Sequence, residues 1–246
     1  MSCSKSIPLI TLFFFLFSPF LHVANAAGPL NHFCFNPETY TANSPFGANL
    51  NTLFNLLSVR VPPSGFGVAT TGKRYNKVNG LALCRGDVST TNCKTCVADA
   101  SKKLRNLCPY SKGAIIWYDN CLLKYSGIYF FGRLDNQNKF YKWNVNEVEN
   151  PKAFNPKVKE LLSSLSYNAS TTTKFYATGD LYLGAHKKLY GLAQCTRDLS
   201  SDNCKKCLDG AIRELPNCCT GKRGGRVVGG SCNVRFELYP IVGSNA

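Results

Sequence analysis

Five cysteines recur at one fixed offset, and no other feature restricts the architecture of this chain as strongly. Cys84, Cys93, Cys96, Cys108 and Cys121 map onto Cys195, Cys204, Cys207, Cys219 and Cys232, each 111 residues later. The residues between them keep the register. Cys84 to Cys96 reads CRGDVSTTNCKTC, and Cys195 to Cys207 reads CTRDLSSDNCKKC. Gly80-Leu81-Ala82 precedes the first run and Gly191-Leu192-Ala193 the second. Chance does not hold a period of this kind without insertion, so the chain is two copies of one domain of about 100 residues each.

The first 26 residues stand outside that repeat and read as a signal peptide over 1–26. Lys5 supplies a positive start, Ile7 to Phe17 an apolar run, and Ala24-Asn25-Ala26 a small-x-small cleavage site. The run is about half of what a membrane-spanning helix needs, and no later stretch is long and apolar enough to span. The mature chain is therefore expected to be secreted and extracellular, in the apoplast, with no membrane span. It keeps 12 of the 13 cysteines, and an even count on the oxidising side of a membrane reads as disulfides. The formal charge of +15 favours acidic or polar partners such as wall polysaccharide, anionic headgroups or nucleic acid, and says nothing about fold.

Each copy reads as α+β. Pro45 to Val59 carries Phe46, Leu50, Leu53, Phe54 and Leu57 on a helical stripe, repeated by Phe154, Val158, Leu161, Leu162 and Leu165. Gly-punctuated alternation follows, from Gly67 to Cys84 and from Tyr176 to Cys195, and suits two strands. Because Asn79-Gly80 is matched by Tyr190-Gly191, the glycine marks a close approach inside a strand, not a turn. A second helix starts near Asn92 and Asn203, with Pro109 and Pro216 expected to end it. Two strands close each copy, Gly113 to Asp119 with Cys121 to Phe131, and Arg226 to Gly230 with Cys232 to Val242. The polar stretch 134–146 reads as a linker, so that domain 1 covers 27–133 and domain 2 covers 147–246.

The doubled C-x8-C-x2-C is the strongest chemical signal. Two cysteines three apart on a helix could chelate zinc or act as a redox pair. Secretion, the absence of paired His ligands and the even count favour a structural staple, each bridge contributing about 2–4 kcal/mol. Together with Gly113-Ala114-Ile115-Ile116-Trp117-Tyr118 and Gly224-Gly225-Arg226-Val227, the doubled signature resembles the plant cysteine-rich repeat secretory proteins, which carry two ginkbilobin-homologous (stress-antifungal) domains. The resemblance covers nearly all of the mature chain. It implies two tandem domains, each with two helices packed on a five-stranded antiparallel sheet. It also implies the pairs Cys34–Cys108, Cys84–Cys93, Cys96–Cys121, Cys195–Cys204 and Cys207–Cys232. Copy two departs from the pattern, for the position 111 after Cys34 is Val145 and a new Cys218 stands beside Cys219. A vicinal Cys218–Cys219 disulfide, two free thiols, or bridges to another chain would each balance the count. An intramolecular resolution is favoured because exposed thiols do not persist outside the cell.

Mannose-binding members of the family hold sugar with an Asn after the first cysteine, an Arg six before the last and a Glu five after it. In copy two the last two positions are Arg226 and Glu237; in copy one they are Ile115 and Ser126. The Asn position is Phe35 in copy one and falls at Asn144 or Asn146 in copy two, with Asn144 carried as the candidate. The resemblance thus implies a sugar site in domain 2 alone. A donor fork and an acceptor on neighbouring strands are what sugar hydroxyls require, although a cross-strand ion pair would use the same residues.

Enzyme chemistry is not expected. Gly67 to Lys73 imitates a phosphate loop, but Arg74 stands where Ser or Thr must bind magnesium. The mature chain has only His32 and His186, no nucleophile elbow and no facing carboxylate pair. No cofactor or metal is implied. Asn168-Ala169-Ser170 is a glycosylation acceptor, expected in a loop. Two functions remain: a secreted lectin-like protein of antifungal or stress defence acting through domain 2 on mannose-type or cell-wall glycans, and a non-catalytic module binding receptor ectodomains or its own kind. Nucleic acid is not an expected partner, since no recognition motif accompanies the charge.

Overall fold

The computed structural model describes residues 28–184 and 187–243; the expected signal peptide lies outside them. Ten strands and four helices build two five-stranded antiparallel sheets, of order β1-β4-β5-β3-β2 and β6-β9-β10-β8-β7. The first holds β1 (Asn31–Cys34), β2 (Phe66–Thr71), β3 (Val78–Cys84), β4 (Gly113–Trp117) and β5 (Cys121–Ser126). The second holds β6 (Lys139–Trp143), β7 (Tyr176–Gly184), β8 (Lys187–Cys195), β9 (Gly224–Gly229) and β10 (Cys232–Glu237). Helices α1 (Pro45–Arg60) and α2 (Thr90–Leu107) cover one face of the first sheet, α3 (Pro151–Thr171) and α4 (Ser201–Cys218) one face of the second.

The helices form where the stripes place them. Ser44, Ser89 and Ser200 each cap a helix by accepting a hydrogen bond from the backbone N–H three residues on. The apolar stripe of α1 sinks into a core with Val78, Ala82, Leu123 and Tyr125. The close approach read at the paired glycines is real. A Cβ on Gly80 would stand 2.6 Å from Leu53 Cδ2, and one on Gly191 2.6 Å from Leu165 Cδ1. Only glycine lets the helix settle that near the strand.

Three expectations need correction. The stretch 134–146 is not a linker, because Lys139–Trp143 forms β6 and pairs with β9 from Lys139↔Gly229 to Trp143↔Gly225. Its polar ends hide a strand that buries Phe140 and turns Tyr141 towards the helices, so domain 2 begins before residue 147. Pro216 does not end α4: the helix runs on to Cys218, and the Cys219 N–H donates to Leu215 O at 2.8 Å, closing the turn that the proline interrupts. Helix α3 starts at Pro151, so Pro156, the repeat counterpart of the N1 residue Pro45, sits inside it. Asn168 is exposed in the last turns of α3, not in a loop, because the apolar stripe continues to the buried Ala169.

Six disulfides are formed: Cys34–Cys108, Cys84–Cys93, Cys96–Cys121, Cys195–Cys204, Cys207–Cys232 and Cys218–Cys219. In each domain two of them tie the second helix to a pair of inner strands, β3 and β5 or β8 and β10, at a Cα separation of 5.7 or 6.1 Å.

The faces of the sheets not covered by helices pack on one another. Leu81, Ile115, Trp117 and Leu122 of domain 1 meet Phe140 and Val228 of domain 2 in one buried cluster. The Trp117 ring stands edge-on to Phe140 at 5.2 Å, and its Nε1 donates to Gly229 O at 3.0 Å. Polar contacts frame the cluster. Gln194 Nε2 donates to Cys84 O at 3.0 Å, Tyr176 Oη to Asp87 Oδ1 at 3.0 Å, and Lys124 pairs with Asp135 at 2.6 Å. The docking follows a pseudo-twofold axis. Tyr176 covers Gly86 while Arg197 covers Gly65, and Tyr176 and Arg197 stand 111 residues after Gly65 and Gly86.

Three outcomes test this fold. Trp117→Ala should cost about 3–5 kcal/mol in a urea unfolding titration, and an unchanged midpoint would show that the sheets do not dock. Burial raises the carboxyls of Asp135 and Asp87, but Lys124 and Asn138 on the one, and Arg85 and Tyr176 on the other, outweigh it and hold both below the ordinary value of 3.8. With folded values below unfolded ones, their stabilisation is complete above the unfolded value and is lost as pH falls through the folded ones. Unfolding midpoints should therefore hold from about pH 7 to 5 and decline below about pH 4, less steeply in Asp135→Asn; an equally steep decline in that variant would refute the assignment. A thiol titration of the denatured, unreduced mature chain should find no free thiol, and two per chain would disprove the Cys218–Cys219 bond.

Candidate functional site

The sheet register decides what Arg226 can do. On β9, Val227 points to the helices, whereas Arg226 and Val228 point to the face that docks against domain 1. Arg226 stands directly opposite Arg235 of β10 and beside Lys142 of β6. Like charges so placed repel, and an acid from the other domain resolves them. Asp119, on the turn between β4 and β5, accepts from Arg226 Nη1 at 2.6 Å and lies 3.6 Å from Arg235 Nη1. Asn233 Oδ1 accepts from Arg226 Nε at 3.1 Å.

Arg226 is only 8% exposed. Burial pushes its guanidinium down to about 10 against the opposing pull of Asp119, so it stays charged at neutral pH. Burial raises the Asp119 carboxyl, but Arg226 and Arg235 outweigh it and hold it below the ordinary range. Nη2 of Arg226 has no hydrogen-bond partner among the described residues and is not sealed off. It is the group left to meet a ligand.

Glu237, at the end of β10, does not pair with Arg226. It sits diagonal to it, facing Gly224 across the ladder. Its Oε1 accepts from Arg235 Nε at 3.0 Å, and its carboxylate crowds the space that a side chain at position 224 would need. Asn144 follows β6 directly. Its backbone N–H donates to Gly224 O at 2.9 Å, and its Oδ1 accepts from the Asn146 N–H at 2.9 Å.

The three residues nonetheless line one cleft of about 240 Å³, together with Leu30, Asp119, Lys142, Trp143, Arg235 and Tyr239. Tyr239 is about half exposed at its rim and accepts from Arg235 Nη2 at 3.0 Å, whereas Trp143, equally exposed, stands opposite Gly225 on the alternate, helix-facing side of β6. Charged donors, a carboxylate and an aromatic face suit a small polyhydroxylated ring, whose hydroxyls take the polar groups while its C–H face lies on an aromatic surface.

Four of these residues escaped the sequence reading. Trp143 was assigned to the linker, and an exposed tryptophan directly after Lys142 is the signal that could have found it. Arg235 and Tyr239 follow from the alternation of β10 once the strand is placed. Asp119 carries no sequence signal, because it arrives from the other domain.

The equivalent face of domain 1 holds no such cleft. Ile115 is buried in the docking cluster, Ser126 is buried, and Lys124, the counterpart of Arg235, lies over the rings of Phe130 and Phe35 at 4.6 and 5.6 Å. The glycosylation acceptor lies apart from the cleft, on α3. The phosphate-loop look-alike forms edge strand β2 and the turn after it.

No helix among the described residues is long and apolar enough to cross a membrane. Residues 33–127 and 141–239 each match the family described as salt stress response/antifungal. The antimicrobial ginkbilobin-2-like protein of Castanea crenata is 69% identical over 95% of this chain and 97% of its own length. Cysteine-rich repeat secretory protein 38 of Arabidopsis thaliana is 53% identical over 87% of this chain and 85% of its own. The crystal structure of the tandem DUF26 ectodomain of the Arabidopsis thaliana cysteine-rich receptor-like protein PDLP8 superposes with a TM-score of 0.77 at 28% identity, covering 86% of this chain and 98% of that one. The chain therefore belongs to the salt stress response/antifungal family, as a secreted, disulfide-stapled protein of two tandem domains.

Proposed function

We propose that this protein binds a mannose-type sugar in the cleft beside the domain junction and acts through it as an extracellular defence lectin. One observation carries the reading. Asn144, Arg226 and Glu237, expected from the sequence to act together, line a single cleft with the half-exposed Tyr239 ring, although 93 residues separate the first from the last. Arg226 and Glu237 are held in place by Asp119 and Arg235, so a ligand meets pre-oriented groups and little side-chain freedom is lost on binding. A relative 69% identical is named antimicrobial, in keeping with a defence role. The Arg226–Asp119 pair also ties the domains together, so substitution of Arg226 alone would confuse binding with docking.

The test is calorimetric titration of the oxidised mature protein with mannose and mannose oligomers, on wild type and on Tyr239→Ala and Glu237→Gln, which leave the Asp119–Arg226 bond in place. Each variant should weaken binding at least about tenfold, the loss of roughly 1.4 kcal/mol, with unfolding midpoints close to wild type. Absence of heat from wild type with all six disulfides intact would retire the sugar site. Exposed Ile128 and Tyr129, on the turn after β5, would then be the surface to examine for a protein partner.

A further inference from the structure

The two copies differ at one place where each should be the same. In domain 1 the arm between β1 and α1 lies over the groove between the helices. The Tyr40 ring packs 5.0 Å from Phe46 and 5.9 Å from Tyr110, and a Cβ on Gly47 would stand 3.1 Å from Tyr40 Cε2 and 3.2 Å from Ala42 O. The Tyr40 hydroxyl is within electrostatic reach of Arg105 and Tyr125. Cys34–Cys108 fastens this arm beside the end of α2.

Domain 2 keeps a shorter arm, in which the Val148 N–H donates to Gly221 O at 2.8 Å as the Tyr40 N–H does to Tyr110 O, so that a small valine stands in the ladder where domain 1 has the tyrosine. Val145 replaces the tethering cysteine, Cys219 turns to its neighbour Cys218, and the residue 111 after Tyr40 is Pro151, already wound into the first turn of α3. What remains is a groove of about 420 Å³ lined by Asn155, Pro156, Val158, Lys159, Ile212, Leu215, Pro216, Cys219, Thr220 and Phe236. Val158, Pro216 and Phe236 are the counterparts of Gly47, Arg105 and Tyr125, three of the residues that surround Tyr40. The two rings that clasp Tyr40 became Lys157 and Gly221, which widens the space. Phe154, from the preceding turn, meets Phe236 at 6.1 Å but does not line the groove.

We propose that the groove between α3 and α4 binds a small phenolic acid, whose ring takes the place that the Tyr40 phenol fills in domain 1. The volume suits a molecule larger than one ring. Pro156 and Pro216 present flat surfaces to an aromatic face, over a floor that the buried Phe236 and Cys219 underlie. Lys159 at the mouth supplies the charge for a carboxylate. Asn155 Oδ1 is engaged by the Gly221 N–H at 3.0 Å, which orients its amide NH2 as a donor. The site is separate from the sugar cleft and shares no residue with it.

The experiment titrates the oxidised mature protein with 4-hydroxycinnamic acid by calorimetry, alongside amide NMR. One molecule should bind per chain, with shifts confined to α3, α4 and β10. Lys159→Glu, on an exposed helix position, should weaken the acid at least tenfold and leave its neutral methyl ester within twofold. Val158→Phe should fill the groove and abolish both. Tyr40→Ala should open the corresponding groove in domain 1 and raise the stoichiometry from one to two. No saturable binding by wild type would overturn the proposal, as would binding that survives Val158→Phe or is lost in Tyr239→Ala. The wild-type titration reads the groove even if the Tyr40 variant fails to fold.

Discussion

The docking of one sheet face on the other is the constraint from which the rest of the molecule follows. A domain of about 100 residues can cover one face of a five-stranded sheet with two helices, and must still take the other face out of water. In this chain the second repeat does that for the first. Trp117, Ile115 and Leu122 find Phe140 and Val228, and the tryptophan N–H, which would be costly to bury alone, reaches Gly229 O. Disulfides cannot substitute for this contact, because all six lie within single domains and none crosses between them. Each core is stapled covalently, whereas the pair is held by burial, hydrogen bonds and ion pairs.

Docking also explains why only one repeat carries the cleft. A pseudo-twofold contact would be satisfied by two equal apolar faces, but these are unequal: Ile115, Leu122 and Lys124 on one side, Arg226, Asn233 and Arg235 on the other. The polar face departs from apolar contact at its edge, where Asp119 reaches across to neutralise two arginines that the ladder places side by side. The result is a charged, pre-organised recess open to solvent on one side and rigid on the other. Burying Arg226 has a desolvation cost that Asp119 and Asn233 offset. A group held in that way is a better ligand contact than a free surface arginine, since its geometry is fixed in advance.

Periodicity and spacing made the repeat, the helical stripes and the paired glycines legible, because each is a local pattern with a physical period. The Gly80 and Gly191 approaches were readable since two copies agreed where one alone would have suggested a turn. The strand β6 was not, because Lys139, Lys142 and the surrounding asparagines mask a five-residue segment with a single fully inward ring. Pro216 misled for a related reason. A proline in the last turn of a helix, or inherited from an older helix start, loses one hydrogen bond without stopping the chain. Of the cleft, Arg226, Glu237 and Asn144 were accessible through resemblance, while Asp119 was beyond any reading of one repeat by itself.

The divergence of the second repeat comes back to one lost cysteine. With Val145 in place of a partner for Cys219, the arm of domain 2 is held by backbone hydrogen bonds at Asn146 and Val148 and by the Glu147–Lys222 pair instead of a disulfide, and it is shorter than its domain 1 counterpart because α3 starts at Pro151. Asn150 caps that longer helix, and the Asn144 N–H holds the arm's start on Gly224 at the floor of the cleft. Cys219, left without its long-range partner, closes on Cys218 and packs against Gly225, one residue from Arg226. A tether removed on the helix side of the sheet therefore shapes the surface on its other side. In a duplicated fold this is how one copy keeps the covalent frame while the other gains open space, and both recesses of domain 2 lie where that exchange took place.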